Sequence, residues 1–285
     1  MIDKPWGVNS FKVVASLRKL LNMRRIGYAG TLDPLASGLM VVAIGEATKL
    51  LHFLEKMDKV YEVEVTLGSV SATYDAEGPI QKSDWSGEIS RSHVEEIIRK
   101  EFDGEVDQMP PQFSAVKIDG KRAYSLARKG TQVELKTRKV SFYDIELRHF
   151  SWPHLVFSIH CSSGTYIRSF AHDLGQKLGC GGYVSRLRRT KINRFTLQTA
   201  VSLERLSPQN FYEYLLKPQE LLTDWNQYQL SDEQYKVLAQ GGFVDFPQPQ
   251  VLNRILAIHN GQCVGLLETI QEGRQLKFLK KFIIV

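Results

Sequence analysis

Residues 60–67 read Val-Tyr-Glu-Val-Glu-Val-Thr-Leu, and their polarity alternates without a break. Tyr61, Val63, Val65 and Leu67 share one face, while Glu62, Glu64 and Thr66 share the other. Such a segment is a half-buried strand. It requires a sheet with one covered face, and it points Tyr61 toward the cover. A matching helix is legible over 164–178, where Ile167, Phe170, Ala171, Leu174 and Leu178 recur at helical spacing and Gly179 stands as the C′ residue. Arg168 and His172 fall on another flank of that helix. Ser10 opens a second helix, with Phe11, Val14, Leu17 and Leu21 expected on one side. Val94, Ile97, Ile98 and Phe102 mark a third within 92–102, and strands are expected at 39–44, 140–147 and 155–161.

Between the first helix and the apolar run Leu39–Ile44 lies GYAGTLDPLASG, residues 27–38. Three glycines and a proline in twelve residues exclude helix and central strand, so the segment is a loop. Asp33 sits in it between Leu32 and Pro34. A carboxylate fixed by a rigid loop and desolvated by apolar neighbours can act as nucleophile or base. Taken alone, the Asp-Pro pair reads as an ordinary turn opener.

The last sixty residues change character. Leu230-Ser231-x-x-Gln234-Tyr235 combines a capping box with a hydrophobic staple, and Asn260-Gly261 between apolar-rich runs signals a hairpin. This tail is mostly strand and suits a small β-barrel, with a domain boundary expected near residue 225.

Several functions are excluded by absence. There is no P-loop, HExxH, GxSxG or dinucleotide fingerprint. The three cysteines are widely spaced, and the seven histidines show no metal spacing, which points to a reduced, cytoplasmic setting without structural zinc. No secretory leader or membrane span is visible. The formal charge of +6 is modest, but its distribution is not even. Eight basic residues between Lys117 and Lys139 face only Asp119 and Glu134. Residues 176–203 contain no acid yet carry Lys177, Arg186, Arg188, Arg189, Lys191 and Arg194. Either stretch alone reads as a solvated face. Together, with Tyr124 and Tyr183 among them, they favour a nucleic-acid partner.

Ordered motifs then point to a family. GYAGTLDPLASG resembles the G-H-x-G-x-L-D-P-x-A-x-G signature of the tRNA pseudouridine synthase B (TruB) family. Asp3-Lys4-Pro5-x-Gly7-x-x-Ser10 resembles the family's opening, and the chain starts so close to it that a clipped first strand is expected. Gly45-Glu46-Ala47-Thr48-Lys49, Lys59-x-Tyr61 with Leu67-Gly68, PPQFSAVKIDGKRAYSLARKG at 110–130, GTYIRSFAHDLG at 164–175 and LRRT at 187–190 follow in order.

The resemblance implies an α+β fold: a mixed, mostly antiparallel sheet with flanking helices over 1–225 and a PUA-like barrel over 226–285. It implies isomerisation of uridine to pseudouridine at position 55 of the tRNA T-loop without a cofactor, by a monomer that needs neither membrane nor protein partner and contacts the T-arm. Asp33 matches the family's catalytic aspartate and Arg168 the arginine paired with it. Tyr61 matches the tyrosine stacked on the flipped base, while Tyr166 and Leu187 match residues lining the base pocket. Without the resemblance, Tyr61 and Leu187 read as core, Arg168 as an exposed helix arginine and Tyr166 as packing at a helix start.

Two departures stand out. Tyr28 replaces a histidine linked to base flipping, and Ser71-Ala72-Thr73-Tyr74-Asp75 replaces T-D-T-x-D, losing one acid. Two other readings use the same features: an RNA-binding folding helper with secondary or lost catalysis, and a guide-dependent enzyme acting on ribosomal RNA.

Overall fold

The computed structural model describes residues 1–114, 117–118, 121–122, 135–247, 250–252 and 254–282. The chain falls into two compact units. One comprises Met1–Ser16, Tyr28–Val41 and His52–Arg205; the other comprises Leu17–Gly27, Val42–Leu51 and Leu206–Val285.

The first unit is built on a mixed sheet, ten-stranded among the described residues. Its principal strands are β1 (Ile2–Lys4), β2 (Ala36–Ile44), β3 (Lys59–Leu67), β4 (Gly104–Gln108), β5 (Arg138–Ser151), β6 (His154–Cys161), β7 (Gly182–Ile192) and β8 (Val201–Ser202). They lie in the order β8-β1-β2-β7-β3-β6-β5-β4. β1 runs parallel to β8, and β2 parallel to β7; the other neighbours along this path are antiparallel. The fold is therefore α+β with a mostly antiparallel sheet. Tyr61, on central β3, pairs in register with Ile159 on one side and Arg189 on the other.

One face of this sheet is covered by α2 (Arg91–Glu101) and α3 (Ile167–Lys177). The expected stripe Ile167, Phe170, Ala171, Leu174 is buried, and Gly179 takes φ +74 after the helix, as a C′ glycine does. Phe170 sits among Phe102, Phe142 and Phe157 at centroid distances of 5.0, 5.6 and 5.6 Å. Burying one such ring contributes about 1.5–3 kcal/mol, so this cluster fixes the helix that carries Arg168. Close approach does the rest. A Cβ on Gly175 would lie 2.1 Å from the Gly182 nitrogen, so only glycine lets α3 reach β7 this closely.

The helix opened by Ser10, α1 (Ser10–Leu20), buries a different arc from the one expected. Val13, Val14 and Leu17 are buried while Phe11 is 61% exposed. The three buried residues span a narrow arc, and Phe11 lies roughly 115° from its centre at ~100° per residue. Ser10 is buried within the helix start, where Asn9 supplies a side-chain cap to the Lys12 N–H at 2.8 Å.

The second unit contains, among the described residues, a five-stranded sheet of β9 (Asn226–Gln229), β10 (Val244–Asp245), β11 (Ile255–His259), β12 (Gln262–Ile270) and β13 (Gln275–Lys281), in the order β9-β11-β12-β13-β10. Asn260 and Gly261 turn β11 into β12 with φ of +49 and +73, the left-handed pair that a tight hairpin requires. Ser231 caps the helix Asp232–Ala239 through the expected capping box with Gln234. Leu238, Ile255, Val264, Leu267 and Leu276 form this unit's core.

Candidate active site

The segment 27–38, expected to be all loop, is loop only over residues 30–35: Ile26–Ala29 and Ala36–Ile44 are strands, because pairing with neighbouring strands overrides the glycine-rich composition at both ends, and the short loop between them carries Asp33. The Ser10 hydroxyl donates to the Leu32 carbonyl and accepts from the Leu32 N–H, both at 2.9 Å. Asp33 follows directly, and its carbonyl accepts from the Ala36 N–H at 3.0 Å, closing the turn into β2. Gly38 adopts φ +104, and a Cβ there would meet the Arg189 carbonyl at 2.2 Å. The parallel pairing of β2 with β7 thus depends on that glycine. The buried ammonium of Lys4 donates to the carbonyls of Pro5, Val8 and Pro34, anchoring the loop from below.

The second support is the start of α3. Gln108, 2% exposed, clamps Tyr166 by accepting from its N–H at 2.7 Å and donating to its carbonyl at 3.0 Å. Ser169 donates to the Met109 carbonyl at 2.6 Å. Arg168 is thereby fixed, and it is buried, not exposed on the helix surface. Its Nε lies 3.0 Å from Asp33 Oδ2 and its Nη1 lies 3.3 Å from Asp75 Oδ2. Nη1 and Nη2 also donate to the carbonyls of Thr73 and Phe113, at 3.1 and 2.9 Å. Asp75 is 1% exposed and accepts from Thr73 Oγ1 and the Glu77 N–H. The departure from T-D-T-x-D therefore spares this contact: the missing acid falls at exposed Ala72, and the carboxylate that Arg168 needs remains.

Asp33 keeps 36% of its side-chain surface open. It faces a cavity of about 270 Å³ lined by Tyr61, Tyr166, Arg168 and Leu187 together with Lys59 and Arg189. Ligand cavities commonly run about 300–1,000 Å³, so this one suits a single nucleoside. Tyr28 is not in it. It lines an adjoining cavity of about 540 Å³ that shares Asp33 and Arg168 and includes Phe11. Five of the six residues singled out from sequence thus converge on one pocket, and the sixth stands on the far side of the same carboxylate.

Burial raises the Asp33 pKa above the ordinary carboxylate value; Arg168 opposes that shift, and neighbouring Asp75 adds to it. Burial likewise raises the Tyr61 phenol, with Arg189 opposing. Lys4 and Lys59 are both lowered to about 8 by burial. Among the described residues, no cluster of histidines, cysteines and carboxylates could hold a metal ion, and no helix is long and apolar enough to cross a membrane.

Asp75, Gln108, Lys59 and Arg189 were not assigned roles from sequence. Lys59, Asp75 and Arg189 do lie inside quoted motifs. Gln108 carries no sequence signal, because only the tertiary contact between the end of β4 and the helix start reveals it. Of the first basic stretch, Lys117, Ile118, Lys121 and Arg122 form a two-stranded ribbon. Arg128, Lys129 and Tyr124, with most of the motif at 110–130, lie outside the described residues.

Comparison with known proteins agrees with the geometry. The model described as "TruB family pseudouridylate synthase (N terminal domain)" matches residues 18–167, and "tRNA pseudouridylate synthase B C-terminal domain" matches 168–223. The tRNA pseudouridine synthase B of Clostridioides difficile is 40% identical, with 99% of this chain and 98% of that protein covered. Its counterpart from Clostridium tetani is 34% identical, with 95% of each covered, and that of Syntrophotalea carbinolica 40%, with 85% and 79% covered. Among solved structures, a Cbf5-Nop10-Gar1 complex contains a chain of the same fold at TM-score 0.72 and 24% identity, covering all of this chain and 83% of that one. An H/ACA RNP bound to a substrate RNA gives 0.71 at 21%, with 99% and 84% covered. These matches show that the chain belongs to the TruB family of pseudouridylate synthases.

Proposed function

We propose that this chain isomerises uridine to pseudouridine at position 55 in the T-loop of tRNAs, with Asp33 as the reactive carboxylate and no cofactor. The carrying observation is the 3.0 Å contact between Arg168 and an Asp33 that still opens onto a nucleoside-sized pocket. In the reaction, the N1–C1′ bond breaks, the base turns, and a C5–C1′ bond forms. An ionised carboxylate can add to the base, attack C1′ or take the C2′ proton. Arg168 favours that ionised form against the cost of burial. Tyr61 replaces the stacking a flipped base loses, which is worth about 1–3 kcal/mol per base. Leu187 and Tyr166 line the pocket and limit water around the detached base.

The roles of Tyr28 and the domains follow from the same reading. Tyr28, beside Asp33 in the adjoining cavity, contacts the loop from which the base leaves. Residues 1–225 perform the isomerisation, and the PUA-like residues 226–285 add contact to RNA. The setting is the cytoplasm, the partner is the tRNA T-arm, and a monomer suffices. The test is pseudouridine mapping on unmodified tRNA transcripts after incubation with the protein. New pseudouridine confined to position 55 is expected. Its absence, or modification only when a guide RNA is added, overturns the reading.

A further inference from the structure

Two buried cations in the pocket form no ion pair among the described residues, although Asp58 and Glu55 act on Lys59 at longer range. Lys59 and Arg189 are 6% and 1% exposed. Lys59 Nζ donates to the carbonyls of Glu55 and Met57. Arg189 donates through Nε to the Leu39 carbonyl at 2.7 Å and through Nη2 to the Gly30 carbonyl at 3.0 Å. It also stands beside Tyr61, with which it pairs in register between β7 and β3, and it opposes the burial-driven rise of the Tyr61 phenol. Among the described residues, neither cation has a carboxylate within ion-pair distance, whereas Arg168 on the facing side has two. Burying an unpaired charge costs several kcal/mol, so two adjacent ones lining a cavity mark a place where negative charge arrives.

Resting on the proposed isomerisation, we propose that Arg189 and Lys59 stabilise the uracil anion released when the N1–C1′ bond breaks. In that step, the bonding pair leaves with the base and spreads over N1, O2 and O4. Asp33 meets the electron deficit of the sugar, by bonding C1′ or by taking the C2′ proton. Arg189 and Lys59 together give this wall of the cavity a positive potential. The charge is fixed in place before reaction, which is the arrangement that lowers a barrier without reorganisation. When C5 closes on C1′, the Asp33–C1′ bond breaks or Asp33 returns its proton to C2′, so the negative charge passes back to the Asp33 carboxylate; the C5 proton is then lost and N1 gains one.

Leaving-group dependence tests this directly, because 5-fluorouracil forms the more stable anion. Single-turnover consumption of the target nucleoside is measured on T-loop hairpins carrying uridine or 5-fluorouridine, for wild type, Arg189→Gln, Arg189→Lys and Lys59→Gln. Arg189→Gln and Lys59→Gln are expected to slow the uridine reaction by about tenfold or more, and the deficit is expected to shrink by at least about threefold with 5-fluorouridine. Arg189→Lys, which keeps the charge, is expected to fall between Arg189→Gln and wild type. If Arg189→Gln does not fold, Lys59→Gln and Arg189→Lys carry the comparison. Equal deficits on both substrates would mean that these cations only support the fold, overturning the proposal. Failure of wild type to convert either hairpin would instead overturn the isomerase reading.

Discussion

On one side of the pocket, Arg168 meets two carboxylates and two carbonyls. On the other, Lys59 and Arg189 meet carbonyls and, among the described residues, no carboxylate within ion-pair distance. All three cations are buried, yet Arg168 is ion-paired in the resting protein and the other two, among the described residues, are not. On the proposed reading, the first wall favours the ionised form of Asp33 against the cost of burial. The second wall is complementary to charge that appears only during reaction. Buried charge therefore has two uses here, and the partner list of each residue distinguishes them.

Removing the hub of the first wall has the largest expected effect. Arg168→Ala strands Asp75 at 1% exposure, and breaking a buried pair in this way costs about 3–5 kcal/mol. Chemical denaturation should show that loss, with turnover falling below detection. A stable, active Arg168→Ala protein would erase the contrast between the walls.

A pH profile sharpens the same point. The folded pKa of Asp33 lies above its ordinary value of 3.8 because of burial. Folding therefore favours the protonated form, and the Asp33 contribution to stability falls as pH rises from the unfolded to the folded pKa. Activity has the opposite sign, because it needs the anion. The acid limb of single-turnover rate should titrate above the ordinary carboxylate value. Asp33→Asn should raise the thermal midpoint at neutral pH and lose that advantage in acid. An acid limb at the ordinary value, or a neutral-pH midpoint below wild type, would contradict this assignment.

Tyr28→His gives the smallest effect. Tyr28 lies in the adjoining cavity and not among the residues around the base pocket. Single-turnover rates within about twofold of wild type are expected. A gain of tenfold would move the contrast from the two walls to the neighbouring cavity.

The strand at 59–67, the helix at 167–177 and the turn at Asn260-Gly261 were legible because each buries a periodic face or needs a special dihedral. The converging residues Asp33, Tyr61 and Arg168 were legible only through ordered motifs. Alternation marks Tyr61 as core, and nothing in α3 says that the flank bearing Arg168 is buried. Phe11 misled because its i, i+3 spacing to Val14 mimics a stripe whose true centre lies on Val13, Val14 and Leu17. Asp75, Gln108 and Arg189 owe their positions to contacts across 58 to 159 residues of chain, a scale that local patterning does not encode.

The most direct measurement compares wild type with Asp33→Asn on one T-loop RNA, scoring pseudouridine by mass spectrometry and affinity by filter binding. Wild type should convert the target uridine, while Asp33→Asn should bind within about threefold and yield no product. Turnover by Asp33→Asn, or an affinity loss large enough to explain its inactivity, would contradict the assignment of Asp33 as the reacting group.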